Sequence, residues 1–120
     1  MRIVIAGSRT LGGVALVAAA VAASGWAVTA VISGTAPGID QAGEAWAAEG
    51  GLPVTRMPAA WDTYGRAAGP IRNTAMAAAA DGVLVIWNGR SRGSASMIRA
   101  AQGVGVPLFI YRVTKEEETP

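Results

Sequence analysis

Cysteine and histidine are both absent from the 120-residue chain, and together the two absences remove a large part of enzyme chemistry. No thiolate nucleophile, disulfide or imidazole general base can be built, and the usual zinc ligand sets are excluded. We therefore expect no metal and no cofactor. Any catalysis has to run on carboxylates, arginine, hydroxyls and backbone amides. Charge is sparse as well, at 15% of residues with a net charge of +2. The basic pI then reflects a slight Lys/Arg excess and not a broad cationic face for phosphate backbones, so a nucleic-acid partner is not favoured.

Charge is missing altogether from Thr10 to Ile39, a stretch long enough in residues to cross a bilayer. Three breaks argue against a span: Gly12-Gly13, Ser24-Gly25 and Ser33-Gly34. Alanine is only weakly apolar, and Val28 to Ile32 reads as a separate strand. Ile3-Val4-Ile5 followed by Gly-Ser-Arg does not fit an export leader. The expectation is a cytoplasmic protein with no membrane association. With 52% hydrophobic residues the chain has enough apolar material for one packed core. We place one domain at residues 1–113 and a charged tail at 114–120.

Apolar runs alternate with helical periods along the whole domain. Arg2 to Ala6 is an aliphatic run closed by Gly7-Ser8-Arg9, as expected of a central strand buried on both faces. Thr10 is placed to cap a helix running to Ala23, with Leu11, Val14, Ala18 and Val21 on one face. That helix is apolar nearly all round, which suits either a sandwiched position or a subunit interface. Val28 to Ile32 is a second strand and Ile39 to Glu49 a helix ended by Gly50-Gly51. Pro53 to Met57 is a third, edge-type strand. Pro58 to Gly69 has no clean period and reads as a loop. Ile71 to Ala80 is a helix opened by Pro70, Val83 to Trp87 a strand, Ala95 to Gln102 a helix capped by Ser94, and Pro107 to Arg112 a fifth strand. This alternation predicts a single doubly wound α/β domain with a parallel sheet of strand order 3-2-1-4-5 and helices on both faces. In that order the ligand crevice opens at the carboxyl ends of the first and fourth strands.

Three loops converge there: Gly7-Ser8-Arg9, Gly34 to Asp40, and Asn88 to Ser94. Their glycines and hydroxyls, Gly7, Ser8, Gly34, Thr35, Gly38, Gly93 and Ser94, are what an anion held on backbone amides and helix amino ends requires. They are equally what any strand-to-helix turn uses. Neither G-x-G-x-x-G nor G-x-x-x-x-G-K-[ST] occurs, so a conventional dinucleotide dehydrogenase or phosphate-loop NTPase is not indicated. Asp40 suits two roles, complementing a helix dipole or accepting hydrogen bonds from a sugar or amine. Arg9 is placed to fork onto a phosphate or to form a surface ion pair. Arg72 and Asn73 open a helix, where a cation opposes the dipole and has no local reason to stand. Arg90 and Arg92 read as solvated. Trp61 and Tyr64 either stack on a base or pack beneath their loop.

Taken together, Ile5-Ala6-Gly7-Ser8-Arg9, Ser33-Gly34-Thr35-Ala36-Pro37-Gly38-Ile39-Asp40, Trp61-Asp62, Gly69-Pro70-Ile71-Arg72-Asn73-Thr74-Ala75-Met76 and Gly93-Ser94 resemble the YspA-like, cpYpsA-related branch of the SLOG superfamily. That superfamily includes the LOG nucleotide-processing enzymes and the DNA-processing protein DprA. The resemblance implies a Rossmann-like domain that binds a nucleotide or nucleotide derivative, as a homo-oligomer. LOG-type phosphoribohydrolases use an arginine matched here by Arg72, and a glutamate after a Pro-Gly-Gly-x-Gly-Thr loop. The corresponding loop here is Trp87 to Ser94, and Met97 stands where the glutamate would fall. Binding therefore ranks above catalysis. If a reaction occurs, Arg72 and Asp40 are the candidates. Glycosidase-like processing and single-stranded DNA binding are the alternatives.

Overall fold

The computed structural model describes residues 1–114; all of the predicted charged tail beyond Thr114 lies outside the described residues. Five strands form one all-parallel sheet: β1 (Arg2–Gly7), β2 (Ala30–Ser33), β3 (Val54–Arg56), β4 (Gly82–Trp87) and β5 (Leu108–Arg112), in the order β3-β2-β1-β4-β5. This is the predicted α/β Rossmann-like topology, with β1 at the centre and β3 and β5 at the edges.

The period of two along the strands decides which layer each residue joins. Ile3 and Ile5 of β1, Val31 of β2 and Leu84 and Ile86 of β4 point to one face. There they pack with Val17 and Ala20 of α1 (Val14–Ser24) and Ile39, Ala42 and Ala47 of α2 (Ile39–Glu49). Val4, Ala6, Ile32, Val83 and Val85 point to the other. They meet Met76 and Ala77 of α4 (Ala68–Ala79) and Met97, Ile98 and Ala101 of α5 (Arg92–Val104). Burying one such aliphatic side chain contributes about 1.5–3 kcal/mol, and β1 and β4 bury nearly their whole length.

Local departures from the expected elements have identifiable causes. Thr10 does not cap a helix: Leu11 is buried and its N–H donates to the Ser8 carbonyl (3.3 Å), which holds the chain in a turn. The helix starts only at Val14, with Gly13 as its uncapped N-cap. Its core face is Val17 and Ala20, so Ala18, expected inside, is exposed together with Ala15, Ala19, Ala22 and Ala23. The segment read as a loop contains α3 (Trp61–Tyr64), a single helical turn, followed by a 3-10 turn at Gly65–Ala67. Ser94 is not the cap of α5. Ser91 is, its hydroxyl accepting from the Ser94 N–H (3.3 Å). Among the described residues no helix is long and apolar enough to cross a membrane.

Candidate functional site

At the carboxyl ends of β1 and β4 the sheet opens into a cleft of about 620 Å³, walled by the loop after β1, the start of α4 and the first two turns of α5. Of the residues singled out from sequence, Gly7, Arg9, Asp40, Arg72, Asn73 and Gly93 line it. Ser8, Gly34, Thr35, Gly38 and Ser94 lie behind the wall, where each is engaged by other parts of the protein.

Ser8 is buried and ties three loops together. Its carbonyl accepts from Leu11 and Ile39, its N–H donates to the Ile86 carbonyl (3.1 Å), and its hydroxyl accepts from the Asn88 N–H (3.3 Å). Gly38 stands at φ 81°, and a Cβ there would lie 2.6 Å from the carbonyl oxygens of both Ser8 and Arg9. The amino end of α2 is thus pressed against the β1 loop. Ser33 extends this internal wiring. Its hydroxyl donates to Glu44 Oε2 (2.7 Å) and accepts from the Thr35 N–H (3.1 Å), while Glu44 Oε1 pairs with Arg56 Nε (2.7 Å). Thr35 is held at φ 69°, a conformation that costs a β-branched residue energy and persists only where its surroundings enforce it.

Asp40 and Arg72 meet above Gly34, where an added Cβ would come within 2.8 Å of both Asp40 Oδ2 and Arg72 Nη1. Arg72 straps the wall together: Nη1 donates to the Gly34 carbonyl (2.6 Å) and Nε to Asn73 Oδ1 (2.8 Å). Asn73 in turn donates to Ser96 Oγ (3.2 Å). Burial lowers the Arg72 pKa, and the nearby Asp40 charge opposes that shift. Asp40 is 6% exposed and faces the cleft. Burial pushes its pKa up from 3.8 to about 6, against the Ala36 N–H that donates to Oδ2 (3.1 Å) and the positive charges of Arg72 and Arg9.

The opposite wall is open. Asn88 Oδ1 accepts from the N–H groups of Arg90 (2.8 Å) and Ser91 (3.1 Å), which folds the β4–α5 loop back and presents α5 end-on. Ser91 satisfies Ser94. The first-turn N–H groups of Arg92 and Gly93 have no acceptor within the helix. Five of the nine arginines, Arg9, Arg72, Arg90, Arg92 and Arg99, line this one cleft, against a single carboxylate. The low net charge concealed this concentration. The side chains of Arg9, Arg92 and Arg99 make no hydrogen bond or ion pair among the described residues. Trp61 borders the cleft with 53% of its surface exposed, whereas Tyr64, 52% exposed, stands outside it. Met97, buried, contributes an apolar side chain to the cleft lining.

Sequence reasoning missed Arg99 and Ser96. Their signal was the polar i, i+4, i+7 spacing of Arg92, Ser96 and Arg99 against the apolar Met97, Ile98 and Ala101.

A family model described as YspA, cpYpsA-related SLOG family matches residues 1–64, more than half of the chain. The chain belongs to that family. No curated protein matches this SLOG chain significantly, and neither does any solved structure. The matched stretch carries the β1 loop, the whole β2–α2 loop and Trp61. Arg72 and the arginines of α5 lie beyond it, so the open wall of the SLOG cleft comes from the unmatched half.

Proposed function

We propose that this protein binds a nucleotide or nucleotide derivative in the cleft between β1 and β4. The observation that carries the reading is the excess of guanidinium groups over carboxylates in the cleft, with the side chains of Arg9 and Arg92 making no hydrogen bond or ion pair among the described residues, beside the open amino end of α5. Cations that outnumber the carboxylates beside them repel one another, and an anionic ligand relieves that repulsion. In this reading the phosphate sits on the Arg92 and Gly93 amides and is forked by Arg9. Asp40 accepts from sugar hydroxyls, and the half-exposed Trp61 offers a face for a base. Membership of a SLOG family is consistent with a nucleotide-related role.

Arg72 fits a different task from the one its helix position suggested. Its Nη1 and Nε are engaged by Gly34 and Asn73, so it positions the wall. Arg9, whose side chain makes no hydrogen bond or ion pair among the described residues, is therefore the better probe. Calorimetric titration with mononucleotides, cyclic nucleotides, NAD and ADP-ribose is expected to give saturable binding, weakened at least tenfold in Arg9→Gln with the circular dichroism spectrum unchanged. Absence of binding across that panel rejects the reading.

A second reading, processing of an N-glycosidic bond, is favoured by one observation. Asp40 titrates at about 6 on the cleft wall, in the range that suits a group taking and returning a proton near neutral pH. Here Asp40 would be the acid or base and Arg72 the residue that positions it. Incubation with nucleoside monophosphates should then release free base, and Asp40→Asn should abolish the release.

A further inference from the structure

We propose that the ligand carries more than one phosphate, with the chain of anions running along α5 from Arg92 toward Arg99, so that a nucleoside di- or triphosphate fills the site and a monophosphate leaves part of it empty. This rests on the nucleotide reading above and specifies its ligand class.

The argument starts from helix geometry. Arg92, Ser96 and Arg99 stand at i, i+4 and i+7 of α5 and therefore share one face, and all three line the cleft. At 1.5 Å per residue the two arginines are about 10.5 Å apart along the axis, two full turns. The other face of α5 is committed to the core through Met97, Ile98 and Ala101, so the polar stripe cannot turn inward.

Folding gives this stripe no local reason. Neither arginine has a hydrogen bond or ion pair among the described residues. Arg92 stands at the helix amino end, where the dipole disfavours a cation. By contrast, of the four arginines outside the cleft, Arg2 bonds Thr55, Arg56 pairs with Glu44 and Arg112 stacks on Trp87, and the exposed Arg66 is the one that makes no such contact among the described residues. A single phosphate is smaller than one 5.4 Å turn. Seated at the Arg92 and Gly93 amides, it leaves Arg99 two turns away and without an anion.

A second feature extends the track. Arg99 also borders a neighbouring groove of about 330 Å³ between α4 and α5, in which Thr74 and Ser96 stand beside it. Pro70, Ser96 and Arg99 belong to both spaces, so the groove continues the cleft. Two hydroxyls next to a guanidinium suit the oxygens of a second or third phosphate, and the long arginine stem covers the remaining distance.

The test is calorimetric titration of the full chain and of Arg99→Gln with AMP, ADP, ATP and inorganic tripolyphosphate, at low salt and without divalent cations. Affinity should rise at least tenfold from AMP to ATP, and Arg99→Gln should bring the ATP to AMP ratio close to one. Equal affinities for AMP, ADP and ATP, or a loss in Arg99→Gln that is the same for AMP and ATP, overturns the proposal while leaving nucleotide binding intact. Tripolyphosphate binding as tightly as ATP, with AMP inert, supports the anion track and rejects the nucleotide reading. No binding by any of the four rejects both. Arg99 is exposed, so the variant is expected to fold, and its melting curve checks this.

Discussion

The β2–α2 loop and the β4–α5 loop have similar composition, each rich in glycine and hydroxyls after a buried strand, yet they solve opposite problems. From Ser33 to Asp40 the polar groups are turned inward: Ser33 serves Glu44 and Thr35, Asp40 serves Ala36, and Gly38 admits the Ser8 and Arg9 carbonyls. From Asn88 to Gly93 a few side chains fold the loop, and the first amides of α5 are left open beside the Arg92 side chain, which makes no hydrogen bond or ion pair among the described residues. Glycine thus marks close packing at Gly38, and at Gly89 where the Arg112 guanidinium lies against it, but accessibility at Gly93. A glycine-rich turn says only that backbone is exposed to something. The surroundings decide whether that something is the protein itself or a ligand.

Substituting the glycines separates the two cases most sharply. Gly38→Ala places a methyl 2.6 Å from two carbonyl oxygens at φ 81°, and urea unfolding should show a loss of more than about 3 kcal/mol or no folded protein at all. Gly93→Ala meets nothing within 4 Å and should change stability by less than about 1 kcal/mol, with alanine the better helix former. If Gly38→Ala is tolerated as well as Gly93→Ala, the contrast between the loops fails.

Asp40 probes how closed the inner loop is. With its folded pKa raised from 3.8 to about 6, the folded state keeps a proton that the unfolded chain releases first. Its burial therefore costs nothing below pH 3.8, costs more as the pH rises toward 6, and reaches a plateau of about 3 kcal/mol above that. Asp40→Asn retains an acceptor for the Ala36 N–H without the charge. Its unfolding midpoint should exceed that of the wild type at pH 8 and coincide with it at pH 4. A constant difference across that range would mean that the carboxyl is not shielded from water.

A further small effect belongs to the open loop. Ser91→Ala removes the hydroxyl that accepts from Ser94 N–H and should cost about 1 kcal/mol. Denaturant titration of this variant measures how far the α5 end depends on its one cap.

The sheet was legible from sequence because hydrophobic runs and breaks report burial directly. Strand order, the central place of β1 and the edge position of β3 follow from five short apolar runs separated by helical periods. What failed was local. Thr10 and Ser94 have the chemistry of caps, but Leu11 is pulled into the core and Ser91 precedes the turn that Asn88 folds, so neighbouring burial and hydrogen bonding chose other residues. The Trp61–Tyr64 turn is too short to show a period. The arginine cluster was legible only in part: Arg9 and Arg72 were expected at the site, whereas Arg92 read as solvated and Arg99 was missed, because these residues are spread over the chain and the crossover topology brings them to one edge of the sheet.

The triple attachment of Ser8 has a further consequence. The backbone N–H, carbonyl and hydroxyl of one residue hold the ends of β1, α2 and β4, so the three loops are not independent fingers that evolution or an engineer can exchange one at a time. A transplanted β4–α5 loop must bring an N–H to the Asn88 position. A transplanted α2 must leave room for two carbonyls at its start. The part of the site free to diversify is the side-chain lining carried by α4 and α5, mounted on a frame that changes as a unit or not at all.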